Sequence, residues 1–397
     1  MRTLAKAIGI LGALAAIALA GAILVFSLER RSDTTLPTPT GPFAVGRASY
    51  LWRNQSATPH PLNPEAPSSE LIGWLWYPVS KDSGTALPYL PAEWLSAMQR
   101  SERMPFSLLR RDVARVHSHS VSGTITPQPR ALPVLIMRGG LGARTLDYTT
   151  LAEELASHGY VVVGFDAPYR TGMVAFPDGR VVTRPPSLNP ETLRESEQRA
   201  LASRLMAGWV SDTRFVLDQL ERLNADESTG YLTGRLDLRR VGVFGHSLGG
   251  ATAAQVCHDD VRCKAGIDID GLPLGSVVRD GLDRPFMFLL SEHGDTTGTE
   301  SRRVLADIGA IYGRIPADKR VWITLRGSRH FNFSDQALLG EPHVFRLVGA
   351  MGPIDQRRAL IVTGEYVRRF FDVFLGGASD TLLAASGAYP EIERKPR

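Results

Sequence analysis

Val241-Gly242-Val243-Phe244 runs into Gly245-His246-Ser247-Leu248-Gly249-Gly250 and then Ala251-Thr252-Ala253-Ala254-Gln255. The order is a short apolar strand, a glycine-bounded turn and a helix-forming run, which is the context a Gly-x-Ser-x-Gly turn needs to become a nucleophile elbow. Ser247 at the apex must take a strained backbone conformation to lift its hydroxyl above a sheet. Side chains two residues to either side would collide there, so glycine at 245 and 249 follows from sterics. A helix that begins at the serine also sets its positive dipole end beneath a developing oxyanion. The competing reading is a structural glycine-rich turn with an exposed serine. His246 adjoins the serine, but neighbours on a sharp turn point in different directions. It is therefore read as a packing or hydrogen-bonding residue.

Around this turn the chain alternates between strand and helix signals. Strands are expected at 71–77, 113–120, 134–137, 160–165, 240–244, 264–269, 285–290 and 321–325. Helices are expected at about 147–158, where Gly159 supplies the stop, at 190–205, at 209–223 and at 353–375. Several strands are continuous apolar runs, as in a sheet buried on both faces. The fold class is therefore α/β: an α/β-hydrolase fold with a mostly parallel central sheet and helices on both faces, preceded by one N-terminal apolar helix. In such sheets ligands bind beyond the carboxyl ends of the strands.

In this fold the acid and then the base follow the nucleophile along the chain. The histidines after Ser247 are His258, His293, His330 and His343. His258 falls at the far end of the nucleophile's own helix, and His343 has no strand before it. His330 lies in Arg326-Gly327-Ser328-Arg329-His330-Phe331-Asn332-Phe333, just past the last expected strand, and is the candidate base; His293 is held in reserve. Two carboxylates suit the acid, Asp270 after one strand and Asp295 after the next, and position alone does not separate them. Asp268 alternates with Asp270, so at most one of the two faces the site.

The chain has 397 residues, 43% hydrophobic and 22% charged, which is ordinary globular composition. Its formal charge of +4 is scattered, and no basic stripe with interleaved aromatics suggests a nucleic-acid partner. Arg2 and Lys6 precede an uncharged run from Ala7 to Leu28, which as a helix would span roughly 33 Å, close to a bilayer's hydrocarbon thickness. Residues 1–31 are accordingly read as a membrane anchor. The rival reading is a signal segment cleaved near Ala18-Leu19-Ala20, which would give a secreted enzyme. A Pro/Thr-rich linker (32–42), a catalytic domain (43–376) and a C-terminal tail (377–397) follow. Cys257 and Cys263, the two cysteines, either close a small disulfide loop or remain buried thiols; their spacing fits no zinc site. His117-Ser118-His119 is read as a strand face rather than a metal site.

Several segments together resemble a known family, the platelet-activating factor acetylhydrolases of the plasma and intracellular type II kind. Gly245 to Thr252 looks like that family's nucleophile segment. Gly266 to Asp270 with Leu272-Pro273-Leu274 is similar to its acid segment. Arg326-Gly327-Ser328 through His330, Asn332, Phe333 and Asp335 is similar to its histidine segment, and Gly140-Leu141-Gly142 with Leu155 to Tyr160 to its oxyanion loop and following helix. The resemblance spans roughly residues 41–375. It implies Ser247 as nucleophile, Asp270 as acid, His330 as base, and the backbone N–H groups of Leu141 and Leu248 as the oxyanion hole. The sequence departs from the family at Gly139, where the family usually has His, and at Gly271, after which the stretch to Leu272-Pro273-Leu274 is shorter.

The expected chemistry is two-step acyl transfer through an acyl-enzyme, with no cofactor and no metal. The resemblance implies phospholipids with short or oxidised acyl chains as substrates. A general carboxylesterase or polyester hydrolase would use the same residues, and a non-catalytic binding protein would share the fold. Trp94, Leu95, Met98, Met104, Phe106, Leu108 and Leu109, interleaved with Arg100, Arg103, Arg110 and Arg111, form either a lid that meets lipid or a helix packed on the body.

Overall fold

The computed structural model describes residues 30–54, 69–81, 84–101, 110–126, 130–189, 193–226, 231–292, 298–340, 342–384 and 389–395, together with Ile17, Ala20, Gly21, Leu24, Val25, Ser27 and Leu28. One large sheet organises them. Its strands are β1 (Ala44–Asn54), β2 (Ser69–Val79), β3 (Leu132–Arg138), β4 (Val161–Asp166), β5 (Leu236–His246), β6 (Cys263–Ile269), β7 (Phe286–Ser291), β8 (Arg320–Leu325) and β9 (Ile392–Arg394). Across the sheet they stand in the order β9-β8-β7-β6-β5-β3-β4-β2-β1, and the two-residue strand Ser120–Val121 completes the far edge. Pairing is parallel from β4 through β8; β9 on β8, β2 on β4 and β1 on β2 are antiparallel.

Period-two alternation feeds two cores. Leu135 and Met137 of β3, Phe244 of β5 and Ile267 of β6 point to one face, where they meet helices α2 (Thr149–Ser157) and α6 (Gln356–Phe374). Val134, Ile136, Val241 and Val243 point to the other face, against α3 (Glu195–Ala225), α4 (Leu248–Asp259) and α5 (Thr299–Arg314). Gly242 lets α6 approach the sheet, because a Cβ there would lie 2.5 Å from Phe371 Cε1. The Phe371 ring, fully buried, tilts against Phe244 at 5.8 Å between centroids. Emptying such a site of an aromatic ring costs about 3–5 kcal/mol.

Several expectations change. The two helices expected at 190–205 and 209–223 are one 31-residue helix, α3. Gly208 does not break it: a glycine costs only about 1 kcal/mol in a helix, and a Cβ there would stand 3.0 Å from the Arg170 guanidinium, which pairs with Asp212 on the same helix. The strand expected at 113–120 is a 3-10 turn, Val113–Arg115, capped by Asp112, followed by two-residue strands. His117 and His119 there have separate partners, Asp33 and the Leu36 carbonyl. The stretch read as a linker is docked: Thr34–Thr35 pairs with Val116–His117, Leu36 is buried, and Thr40 bonds Glu154 and His158. Within the stretch read as a tail, β9 closes one edge of the sheet.

Most of the apolar run at 7–28 lies outside the described residues. Those described between Ile17 and Arg30 are helical, and Ile17, Leu24, Val25 and Leu28 are exposed. Among the described residues, no helix is long and apolar enough to cross a membrane.

Cys257, near the end of α4, and Cys263, at the start of β6, form a buried disulfide. It staples the helix that begins at Ser247 to the strand that leads to Asp270. A loop this short gives about 2 kcal/mol by the chain-entropy estimate. Cys257→Ala/Cys263→Ala should therefore lower the unfolding free energy by at least that amount in urea titrations; an unchanged midpoint would contradict the stapling role.

Candidate active site

Ser247 sits between β5 and α4 with φ 58° and ψ −128°, a conformation that L-residues avoid. The cost is sustained by packing that only glycine allows. A Cβ at Gly245 would lie 2.5 Å from the Gly249 carbonyl and 2.7 Å from Arg138 O, and one at Gly249 would strike the carbonyls of Arg138 and Gly139. The elbow is thus pressed onto the end of β3. Its backbone is also tied to β6, where Ser247 N–H donates to Ile269 O at 2.9 Å.

That bond brings Asp270, the next residue, beside the serine. Asp270 has a positive φ of 50° and is buried. Its N–H donates to Leu289 O, and its Oδ1 accepts from Ser291 N–H at 2.8 Å. Oδ2 is 2.7 Å from His330 Nδ1. The carboxylate side chain is 1% exposed and the imidazole 41%, so the pair reaches from the interior to the surface. His330 stands in a 3-10 turn, His330–Phe333, after β8. Asn332 holds that turn, its Oδ1 accepting from Arg329 N–H and Gly352 N–H, both at 2.8 Å.

The loop after β3 completes the rim. A Cβ on Gly140 would lie 3.2 Å from Ser247 Cβ. Gly142 N–H donates to Arg170 O at 3.1 Å, and Gly142 O accepts from Gly172 N–H at 3.0 Å. Among the described residues, neither Leu141 N–H nor Leu248 N–H donates to a protein acceptor. The two family departures have steric reasons: a Cβ at 139 would come 2.8 Å from Tyr148 Cε2, and one at 271 would strike Asp268 Oδ1 and approach Ser247 O at 2.6 Å.

His246, Asp270 and His330 cluster closely enough to resemble a metal site. Asp270 Oδ2 and His330 Nδ1 are engaged with each other, however, and both nitrogens of His246 have partners outside the cluster's side chains. His246 Nδ1 lies 2.8 Å from Tyr148 Oη, and its Nε2 lies 2.9 Å from the His330 carbonyl. Burial, and next the neighbouring His330, push the His246 pKa down to about 3. His246 is therefore neutral across the physiological range. The arrangement suits proton transfer better than cation binding.

Two further acids surround the site. Asp268 is fully buried beneath the elbow, and burial followed by the Asp270 charge holds its pKa well above the usual carboxylate range. Asp335 receives Thr150 N–H and the Tyr89 hydroxyl, while its own N–H donates to Asp147 O. It ties the His330 segment to α2. The roles of Tyr148 and Ser291 were missed in the sequence because no motif marks them, and Asn332 stood in the histidine segment without a role of its own.

His258 bonds Asp259 at the far end of α4. His293, Asp295 and the side chain of His343 lie outside the described residues, as do Arg103, Met104, Phe106, Leu108 and Leu109. On helix α1 (Ala92–Ser101), Trp94, Ala97 and Met98 are buried, which is the packed-helix reading for that part of the stretch.

Comparison with known proteins identifies the family. The sequence profile of the family described as platelet-activating factor acetylhydrolase, isoform II, matches residues 28–173 and 216–380. The chain belongs to this family. A platelet-activating factor acetylhydrolase of Cavia porcellus is 25% identical over 384 residues, covering 86% of this chain and 78% of that protein. A probable 1-alkyl-2-acetylglycerophosphocholine esterase of Arthroderma benhamiae is 26% identical, covering 66% of this chain and 65% of its own. Among solved structures, a ferulic acid esterase from Streptomyces cinnamoneus superimposes with a TM-score of 0.75 at 27% identity, over 91% of this chain and 99% of that one. The family member described here is an ester hydrolase of the α/β-hydrolase fold.

Burial, with Asp147 and Glu153 nearby, raises the Asp335 pKa to about 8. An unfolded chain releases that proton near pH ~4, so the stabilisation is complete below that pH and declines as pH rises to about 8. Asp335→Asn should flatten the fall in unfolding free energy between pH 5 and pH 8. Identical slopes in variant and parent would mean that Asp335 is ionised in the fold.

Proposed function

We propose that this esterase works through Ser247, Asp270 and His330, with Leu141 and Leu248 N–H as the oxyanion hole. The observation that carries the reading is the 2.7 Å Asp270–His330 contact, set beside a serine held at positive φ. With Nδ1 bound to Asp270, His330 keeps Nε2 for proton exchange. Ser247 Oγ passes its proton to His330 as it attacks the ester carbonyl. Asp270 orients the imidazole and stabilises its cation, and His330 then protonates the departing alcohol. Water releases the acyl group by the same steps in reverse. Each oxyanion donor is worth about 3 kcal/mol at the transition state.

The proposed substrates are esters of short or oxidised acyl chains, including the sn-2 position of phospholipids; the likeness to a platelet-activating factor acetylhydrolase and a probable 1-alkyl-2-acetylglycerophosphocholine esterase supports the short-chain part. A second reading, a broader carboxylesterase, is favoured by the likeness to a ferulic acid esterase over 99% of that chain. We further propose that residues 1–31 anchor or export the catalytic domain, into which the stretches at 32–42 and 392–394 are packed. The buried disulfide suits an oxidising compartment.

A fluorophosphonate probe should label the parent and not Ser247→Ala, whose kcat should fall about 10⁶-fold. Absence of labelling in the parent would favour a non-catalytic binding protein. Asp270→Asn should lower kcat about 10⁴-fold; near-normal turnover would exclude it as the acid. Rates on acetyl to decanoyl esters, with and without a phosphocholine head group, separate the two substrate readings.

A further inference from the structure

Three segments meet at the serine without being neighbours in sequence: the loop after β3, the elbow itself and the turn bearing His330. One continuous line of hydrogen bonds joins them. Gly140 N–H donates to Tyr148 Oη at 3.0 Å; Tyr148 Oη lies 2.8 Å from His246 Nδ1; His246 Nε2 lies 2.9 Å from His330 O. Chemistry sets the direction of every proton in it. A carbonyl oxygen only accepts, so His246 Nε2 carries the hydrogen. Tyr148 Oη already accepts from Gly140, and its own hydrogen goes to the bare Nδ1. All four groups are then satisfied with a neutral imidazole, and both side chains are buried, with Tyr148 3% and His246 4% exposed.

We infer that Tyr148 and His246 are positioning residues, forming a relay that fixes the spacing between the oxyanion loop and the base-bearing turn across the nucleophile. Gly140 immediately precedes Leu141, the proposed oxyanion donor, and the relay's other end is the backbone of His330 itself. Neither side chain needs to touch substrate. Breaking any link frees one rim of the site to shift relative to the other, which penalises the tetrahedral state more than the planar ester. The inference rests on the proposed roles of Ser247, Leu141 and His330.

The test uses the full chain with p-nitrophenyl acetate and an alkyl boronic acid, which forms a tetrahedral adduct on a serine hydroxyl. Rates are normalised to sites labelled by fluorophosphonate, so that unfolded protein does not count. Tyr148→Phe keeps the ring and removes the link. His246→Gln keeps a donor near Nε2, and His246→Asn keeps an acceptor near Nδ1. Each should lower kcat per labelled site on the order of ten- to hundred-fold, with KM within about two-fold and boronate affinity falling in parallel with kcat. Because the links act in series, Tyr148→Phe/His246→Gln should lose little more than the worse single variant. Unchanged kcat per labelled site in Tyr148→Phe, or losses that multiply in the double variant, would overturn the relay. Failure of the underlying reading has a different signature: Ser247→Ala would retain turnover.

Discussion

The packing of the Ser247 turn against the carboxyl end of β3 is the constraint from which the site follows. Gly245 and Gly249 place backbone on backbone, and the Arg138 carbonyl fits into the space their missing side chains leave. No other residue type tolerates that approach, and without it the positive φ of Ser247 would have nothing to sustain it. Because the elbow presses on β3, the loop that leaves β3 must pass directly over the serine, which is why Gly140 nearly touches it. Ser247 and the loop after β3 are thus placed by one contact.

Asp270 and His330 are placed by a second sequence of dependencies. Ser247 N–H is bonded to Ile269, which puts Asp270 alongside. The backbone of Asp270 is held by Leu289 and its carboxylate by Ser291, both on β7. One carboxylate oxygen remains, and it meets His330. Around this pair the protein removes competing charge through burial: His246 stays neutral, Asp335 keeps its proton to about pH 8, and Asp268 is held well above the ordinary range. The contact between Asp270 and His330 thus has side chains held in their neutral forms close around it, where electrostatic interactions are less screened than in water.

Legibility varied with the range of the interaction that decides each feature. Continuous apolar runs identified the central strands, and the strand–turn–helix context identified the elbow, because both are local. The expected gap between helices at 205 and 209 does not exist, and Gly208 within it leaves room for the Arg170 guanidinium, a partner that local pattern does not reveal. Residues 32–42 read as a linker because proline and threonine promise no core, yet Leu36 is buried and Thr40 is bonded to Glu154. Ile392–Arg394 is too short for any periodicity, and only its neighbour β8 makes it a strand.

What the sequence determined by itself was the alternation of strand and helix, the serine on its turn, the histidine after the last parallel strand and a family membership carried by several ordered motifs. Each of these rests on local pattern or on the order of motifs along the chain. Tertiary structure decided which carboxylate meets His330, why glycine stands at 139 and 271, and how Tyr148 reaches His246 from 98 residues away. Those outcomes depend on side chains brought together by the sheet, and residue order alone does not encode the distances between loops that close over the same strand ends.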